Sequence, residues 1–237
     1  MDKLYIVIPA YNERDTLPTL IEEWYPIIEK TGRDSRLVIV NDGSRDDTYE
    51  IMKQYAQNRP QFIPLSKENG GHGAAVLYGY RYALDQEADY VFQTDADGQT
   101  CPEEFWGFWE EREHYDLLIG NRINRQDGIS RVFVTKVLKT TLRLCFGVSI
   151  TDANTPFRLM KSQPLRENME LVPENFNLSN VLLSVIYAKK KQAVKYLPIT
   201  FRPRQGGVNS INLKKICKIG IHAIRDFRKI NRALKNI

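Results

Sequence analysis

In Gln93-Thr94-Asp95-Ala96-Asp97-Gly98-Gln99, two carboxylates stand two residues apart, directly before a glycine. The apolar run Tyr90-Val91-Phe92 leads into them, so they leave the end of a buried strand and enter a turn. Like charges crowded at such a point are costly unless a cation lies between them. Hard oxygen donors suit Mg²⁺ or Mn²⁺, which keep waters and share phosphate oxygens with a substrate. A bare Asp-x-Asp also reads as a solvated acidic turn. The rest of the chain favours the metal.

Upstream and downstream of this turn, apolar strands alternate with helical stretches. Strands are expected at Leu4–Pro9, Leu37–Val40, Phe62–Leu65, Tyr90–Thr94 and Leu117–Gly120. Helices are expected at Thr16–Glu29, Asp46–Gln57, Gly73–Leu84 and Pro102–Arg112, the last with Thr100 and Glu103 as a capping box. Such alternation predicts an α/β fold with a mostly parallel sheet and helices on both faces. Ligands then bind beyond the carboxyl ends of the strands. Four polar segments gather there: Pro9-Ala10-Tyr11-Asn12-Glu13, Asn41-Asp42-Gly43-Ser44, Asn69-Gly70-Gly71-His72-Gly73 and Asp95-Ala96-Asp97. The second half is less regular, with a basic and apolar helix over Ser130–Phe146, strands at Thr155–Met160 and Val194–Arg202, and a helix over Leu178–Lys189 between them.

The chain has 237 residues and a net charge of +5. A strand begins almost at the N-terminus, which leaves no room for a signal peptide. No apolar run approaches the length needed to span a bilayer. Cys101, Cys145 and Cys217 are far apart and form no metal or disulfide pattern, as suits a reducing cytosol. Eight basic residues and one acid fall within 213–237, which carries +7 and leaves −2 for residues 1–212. Ile216, Ile219, Ala223, Phe227, Ile230 and Leu234 form one helical stripe in that tail. The expected organisation is a catalytic domain over 1–212 and a basic amphipathic helix over 213–237. Such a helix suits an anionic membrane surface or packs on the domain with a solvated basic face. A nucleic-acid partner is not expected, because no aromatic stacking motif accompanies the charge.

The constellation resembles the inverting family 2 glycosyltransferases of the GT-A fold, and within them the dolichyl- or polyprenyl-phosphate sugar synthases. Ile6–Glu13 and Val40–Ser44 look like the nucleotide-binding segments, and Asp95–Gln99 like the metal motif with the glutamine of the lipid-phosphate branch. Gly120-Asn121-Arg122, Asp152…Pro156-Phe157-Arg158 and Leu197–Gly207 look like the later motifs and the acceptor loop. The chain departs from the pattern at His72, where lysine is usual, at Pro156, where glycine is common, and at Asn209-Ser210-Ile211.

The resemblance implies a nucleotide-diphosphate sugar donor contacted by Pro9, Ala10, Tyr11, Glu13, Asp42, His72, Gly73, Asp95, Ala96 and Asp97. Tyr11 would pack against the base, and Asp42 would accept from base or ribose or cap the next helix. Glu13 would meet ribose or favour a helix N-terminus. A Mg²⁺ or Mn²⁺ would be held by Asp97 and Gln99 with Asp95 nearby. Arg122, Arg131, Thr135 and Arg204 would bind the acceptor phosphate, since arginine forks match phosphate oxygens. Asp95, Asp97, Arg122, Arg131 and Asp152 would carry the chemistry. Asp152 serves as a general base for a saccharide acceptor or orients an arginine for a phosphate acceptor. Polyprenyl phosphate is the leading acceptor and a saccharide in cell-surface polysaccharide synthesis the alternative. The expected place is the cytoplasm, at the inner face of the cell membrane.

Overall fold

The structure is a computed structural model that describes residues 2–122, 129–174 and 176–203 and the single residue 231, with backbone only for 129–137. In chain order the elements are β1 (Leu4–Ala10), α1 (Leu17–Thr31), β2 (Arg36–Asp42), α2 (Thr48–Ala56), β3 (Phe62–Lys67), α3 (His72–Asp85) and β4 (Tyr90–Gln93). A 3-10 turn (Pro102–Glu104), α4 (Phe105–Glu110), β5 (Leu117–Arg122), α5 (Ile129–Phe146), β6 (Arg158–Lys161), α6 (Ser162–Met169), α7 (Ser179–Lys189) and β7 (Val194–Ile199) follow. The seven strands form one sheet in the order β3-β2-β1-β4-β6-β5-β7. β6 alone runs antiparallel to its neighbours β4 and β5. The mostly parallel sheet expected from the alternation is therefore present.

Strands covered on both faces read as continuous apolar runs. β1 shows this, since all seven of its residues are buried. Leu4, Ile6 and Ile8 join the layer of Trp24, Phe92, Phe105 and Phe108. Tyr5 and Val7 point to the opposite layer with Val76, Tyr80 and Leu183. Phe92 meets Phe157 edge-on at 4.7 Å and Phe105 at 5.1 Å, a favourable arrangement of ring quadrupoles that fixes the end of β4. The acidic loop starts from that fixed point.

Three expectations need correction. The Thr100–Glu103 capping box does not form. The Thr100 hydroxyl instead pairs with that of Thr94 at 2.8 Å, and Glu103 reaches Arg202 at 3.7 Å. Thr94 is fully buried, so its hydroxyl needs a protein partner, and Thr100 supplies it. The expected Pro102–Arg112 helix accordingly divides into the 3-10 turn and the six-residue α4. The strand expected from Thr155 begins only at Arg158, and α6 was not anticipated, its eight residues being too few to show a period. Among the described residues no helix is long and apolar enough to cross a membrane.

Candidate active site

The carboxyl ends of β1, β2 and β4 open on one edge of the sheet, as their parallel register requires. At the end of β1, Pro9 and Ala10 are buried and paired with Val40 and Asn41. The next residue, Tyr11, is 42% exposed and presents an open ring. Asn12 takes a left-handed φ of 54° and ties this turn to the next one. Its backbone N–H donates to Ser44 Oγ at 3.0 Å, and its side-chain oxygen accepts from Arg45 N at 2.8 Å. Glu13 turns inward, accepting from Thr16 Oγ1 at 2.8 Å beside the start of α1. The Glu13 carbonyl also accepts from Thr16 N at 3.1 Å and Leu17 N at 3.0 Å, which places this residue just ahead of α1.

Asp42 is 3% exposed and holds the glycine loop that precedes α3. Its Oδ1 accepts from Lys67 Nζ at 2.8 Å and Gly70 N at 3.0 Å, and its Oδ2 from Gly71 N at 2.8 Å. Asn69 Nδ2 also donates to the Asp42 carbonyl at 2.8 Å. The cap of the following turn comes from other residues, with Ser44 N donating to Asn41 Oδ1 and Thr48 N to Asp46 Oδ1. Lys67 was not among the sequence candidates. Its signal lies in the strand register, which sets Lys67 directly beside Asp42.

His72 opens α3 and meets the acidic loop, its Nε2 lying 2.9 Å from Asp95 Oδ1. Burial alone would push the Asp95 carboxyl up, but His72, Arg122 and Gln93 hold it below the usual carboxylate range. Partial desolvation beside the acidic loop opposes charge on His72, yet Asp95, Asp97 and Asp42 together raise it above an ordinary histidine. The side chains of His72, Asp95, Asp97, Asp42 and Arg122 thus share one electrostatic neighbourhood. Gly73 follows, and there the α6–α7 connection closes in, since a Cβ at Gly73 would lie 2.2 Å from the Phe176 carbonyl oxygen. The requirement for glycine at 73 is packing by that connection.

The acidic loop is pinned on three sides. The Thr94–Thr100 hydroxyl pair closes its base. Gln99 N donates to Asp97 Oδ1 at 3.2 Å, and Gly98 supplies a φ of 68°. Across the loop, Gln99 Nε2 donates to the Arg202 carbonyl at 3.0 Å while Arg202 N donates to the Gln99 carbonyl at 2.8 Å. The segment after β7 is thereby docked on the acidic loop. Asp95 and Asp97 are hard oxygen donors of the kind that could take part in holding a divalent cation. Among the described residues no group of three or more His, Cys, Asp or Glu forms a complete protein cage.

On the other side of the loop, Arg122 ends β5 and forks onto Asp152. Nε reaches Oδ2 and Nη2 reaches Oδ1, both at 2.9 Å. The two side chains are only 11% and 9% exposed, and the guanidinium stands 5.1 Å from the Phe201 ring centroid. The structure therefore gathers Asp42, His72, Gly73, Asp95, Ala96, Asp97, Gln99, Arg122 and Asp152 around the carboxyl edge. Arg131 and Thr135 fall on the backbone of α5, their side chains outside what is described. Arg204 and the 213–237 helix also lie outside the described residues. Asn231 is the one described residue of that tail, and its Oδ1 accepts from Lys189 Nζ of α7 at 2.9 Å.

With this geometry in view, the sequence profile of "Glycosyl transferase family 2" matches residues 5–168. An undecaprenyl-phosphate 4-deoxy-4-formamido-L-arabinose transferase of Pectobacterium atrosepticum is 30% identical over 78% of this chain and 60% of its own length. A protein of the same name from Salmonella paratyphi B is 26% identical over 92% of this chain and 65% of its own. The chain thus spans about 60% of the length of such relatives. Among solved structures, glucosyl-3-phosphoglycerate synthase of Mycobacterium tuberculosis with Mn²⁺, UDP and product superposes with a TM-score of 0.68 at 17% identity, covering 96% of this chain and 80% of that one. S. aureus TarS with UDP-GlcNAc gives 0.60 at 20% identity, over 89% and 62%. Both likenesses show the GT-A fold.

Proposed function

Since the chain belongs to glycosyl transferase family 2, we propose that it transfers a sugar, with inversion, from a nucleotide diphosphate donor to a polyprenyl phosphate. The observation that carries the acceptor class is the Arg122–Asp152 fork, with both contacts at 2.9 Å. A sugar hydroxyl needs a general base, because the free hydroxyl is a poor nucleophile. A lipid monophosphate is largely ionised near neutral pH and needs positioning and charge compensation instead. Asp152, with both oxygens on a guanidinium, acts in this reading as the group that orients Arg122. The names of the curated relatives point the same way, since those proteins act on undecaprenyl phosphate.

On the donor side, the open Tyr11 ring packs against the base, and the loop held by Asp42 sets the floor beneath the diphosphate. His72 contributes a cation that the departure from lysine makes titratable. Asp97 and Gln99, with Asp95 nearby, would hold a Mg²⁺ or Mn²⁺, which when bound would supply charge neutralisation for the leaving nucleotide. The Mycobacterium neighbour, complexed with Mn²⁺ and UDP, supports a divalent ion and favours a uridine donor. Arg122, Arg131, Thr135 and Arg204 receive the acceptor phosphate on the opposite face of the sugar. The +7 charge of residues 213–237 would hold the enzyme at the anionic inner face of the membrane.

The test is a screen of nucleotide sugars against polyprenyl phosphate with Mn²⁺, read by product mass. A glycosyl phospholipid one sugar heavier than the acceptor is the expected product. Transfer to saccharides alone would refute the acceptor class.

A further inference from the structure

Arg158 carries a charge into the core of the sheet. It opens β6, is 0% exposed and ranks among the largest fully buried side chains. A guanidinium does not give up its proton, so such burial is costly unless every donor is engaged. No described carboxylate forms an ion pair with it. Its Nε donates to the Thr155 carbonyl at 3.0 Å, and Nη2 donates to the same oxygen at 2.7 Å. Nη2 also reaches the Ala153 carbonyl at 3.2 Å, and Nη1 the Asn180 carbonyl at 3.1 Å.

Two of these carbonyls belong to the irregular stretch between α5 and β6, where no strand ladder fixes the backbone. Asp152 is the residue directly before Ala153. The Ala153 carbonyl has a second contact, because the single hydroxyl proton of Ser184 on α7 is shared between it at 3.1 Å and the Asn180 carbonyl at 2.8 Å. Gly120 N, two residues before Arg122, donates to the Phe157 carbonyl at 2.8 Å. One fork therefore fixes the backbone on which Asp152 stands, and the same stretch is tied to the strand that ends in Arg122.

We propose that Arg158 is a positioning residue for the reaction: with Ser184, it fixes the 152–155 backbone so that Asp152 holds the Arg122 guanidinium in the orientation that receives the acceptor phosphate. A lysine in its place keeps the charge but cannot engage two carbonyls of one loop through a planar fork. The link to the acceptor rests on the reading of Arg122 as a phosphate-binding arginine.

The experiment compares Arg158→Lys and Ser184→Ala with Asp152→Asn in the full chain. Three quantities are measured: KM for a short-chain polyprenyl phosphate, Kd for the nucleotide sugar without acceptor, and hydrogen exchange at the 152–155 amides and Arg122 Nε. Losing one hydrogen bond is worth about a twofold to tenfold change, so Ser184→Ala should raise acceptor KM about threefold and Arg158→Lys about tenfold. Donor Kd should change less than acceptor KM, because the side-chain hydrogen bonds of Arg158 and Ser184 end on the carbonyls of Ala153, Thr155 and Asn180, although the β4–β6 register also sets Arg158 beside Gln93. Exchange should quicken at 152–155 and at Arg122 Nε while the rest of the sheet keeps its protection. Ser184→Ala removes a single hydroxyl, so it carries the test even if Arg158→Lys fails to fold. Equal losses in donor and acceptor affinity, or unchanged exchange at Arg122 Nε, would overturn the proposal. A wild-type protein that ignores polyprenyl phosphate, yet whose variants loosen Arg122 Nε as described, would overturn the acceptor reading and leave the positioning role standing.

Discussion

Replacing Asp42 by asparagine separates two roles that its place at the end of β2 allows. In one, Asp42 meets the base or ribose of the donor. In the other, it staples the 69–71 loop, and the structure gives that role three side-chain contacts: Lys67 Nζ at 2.8 Å, Gly70 N at 3.0 Å and Gly71 N at 2.8 Å. Asparagine retains an acceptor for one of the glycine amides but loses the charge that faces Lys67. Hydrogen bonds to charged groups are worth about 1.5–3 kcal/mol, and the pair is largely withdrawn from water, with side-chain exposures of 20% for Lys67 and 4% for Asp42. Asp42→Asn should therefore destabilise by about 1.5–3 kcal/mol. At about 2–4 °C per kcal/mol for a chain of this size, Tm falls by roughly 3–12 °C. Asp42→Ala, which leaves both glycine amides unpaired and Lys67 with only the Glu68 carbonyl among its described partners, should cost about 3–5 kcal/mol.

The assay is urea denaturation of wild type, Asp42→Asn, Lys67→Met and the double variant, with donor affinity measured calorimetrically on each. The cycle should show a coupling of about 1–3 kcal/mol between Asp42 and Lys67. Donor affinity should fall in both single variants, because each loosens the loop that enters α3. The reasoning is refuted if Asp42→Asn stays within about 0.5 kcal/mol of wild type, the range of an ordinary surface change, while donor binding disappears. In that case Asp42 serves the ligand and the loop contacts are incidental.

Asp97→Asn should abolish transfer and remove the dependence of donor affinity on Mn²⁺ while leaving Tm within a few degrees. Full activity in excess chelator would defeat the metal assignment. The His72–Asp95 contact makes a pH forecast for the protein in chelator. His72 is raised and Asp95 lowered, so their mutual stabilisation is fully present between the ordinary values of 3.8 and 6.5. It is lost as pH rises through the raised His72 value, and again as pH falls through the lowered Asp95 value. With His72 51% exposed, the contribution is about 0.2–1 kcal/mol. The Tm gap between wild type and His72→Gln should be widest near pH 5–6 and close in alkaline buffer, and a gap that widens with pH would contradict the pairing. Removing residues 213–237 should release the protein from anionic vesicles in a salt-dependent way. Unchanged vesicle binding with a large fall in Tm would make the tail a packing element, as the Lys189–Asn231 contact at 2.9 Å allows.

What the sequence disclosed and what it concealed divide along the range of the interactions. β1 announces itself because Leu4-Tyr5-Ile6-Val7-Ile8 is a short apolar run rich in β-branched residues that ends at Pro9, as a strand covered on both faces reads. The acidic loop is legible because Asp95, Asp97 and Gly98 are neighbours in the chain, and their crowding is a local electrostatic fact. Asp42 was visible as a strand-end carboxylate, but its partner depends on the parallel register that sets Lys67 beside it, 25 residues away. The sequence leaves Asp152 between two roles for the same reason. Only the fold brings Arg122, 30 residues earlier, onto both of its oxygens. Gly73 was assigned to the nucleotide, yet its missing Cβ makes room for the backbone of Phe176, about a hundred residues on. The sequence shows Arg158 as part of the Pro156-Phe157-Arg158 motif but conceals its place, because a charged residue between Phe157 and Leu159 reads as the solvent side of a strand. Its burial makes sense only when the carbonyls of Ala153, Thr155 and Asn180 are seen to converge on it. A sequence shows where charge will be expensive. The fold shows which distant groups make that charge tolerable, and at this sheet edge those groups are what hold the candidate chemistry in place.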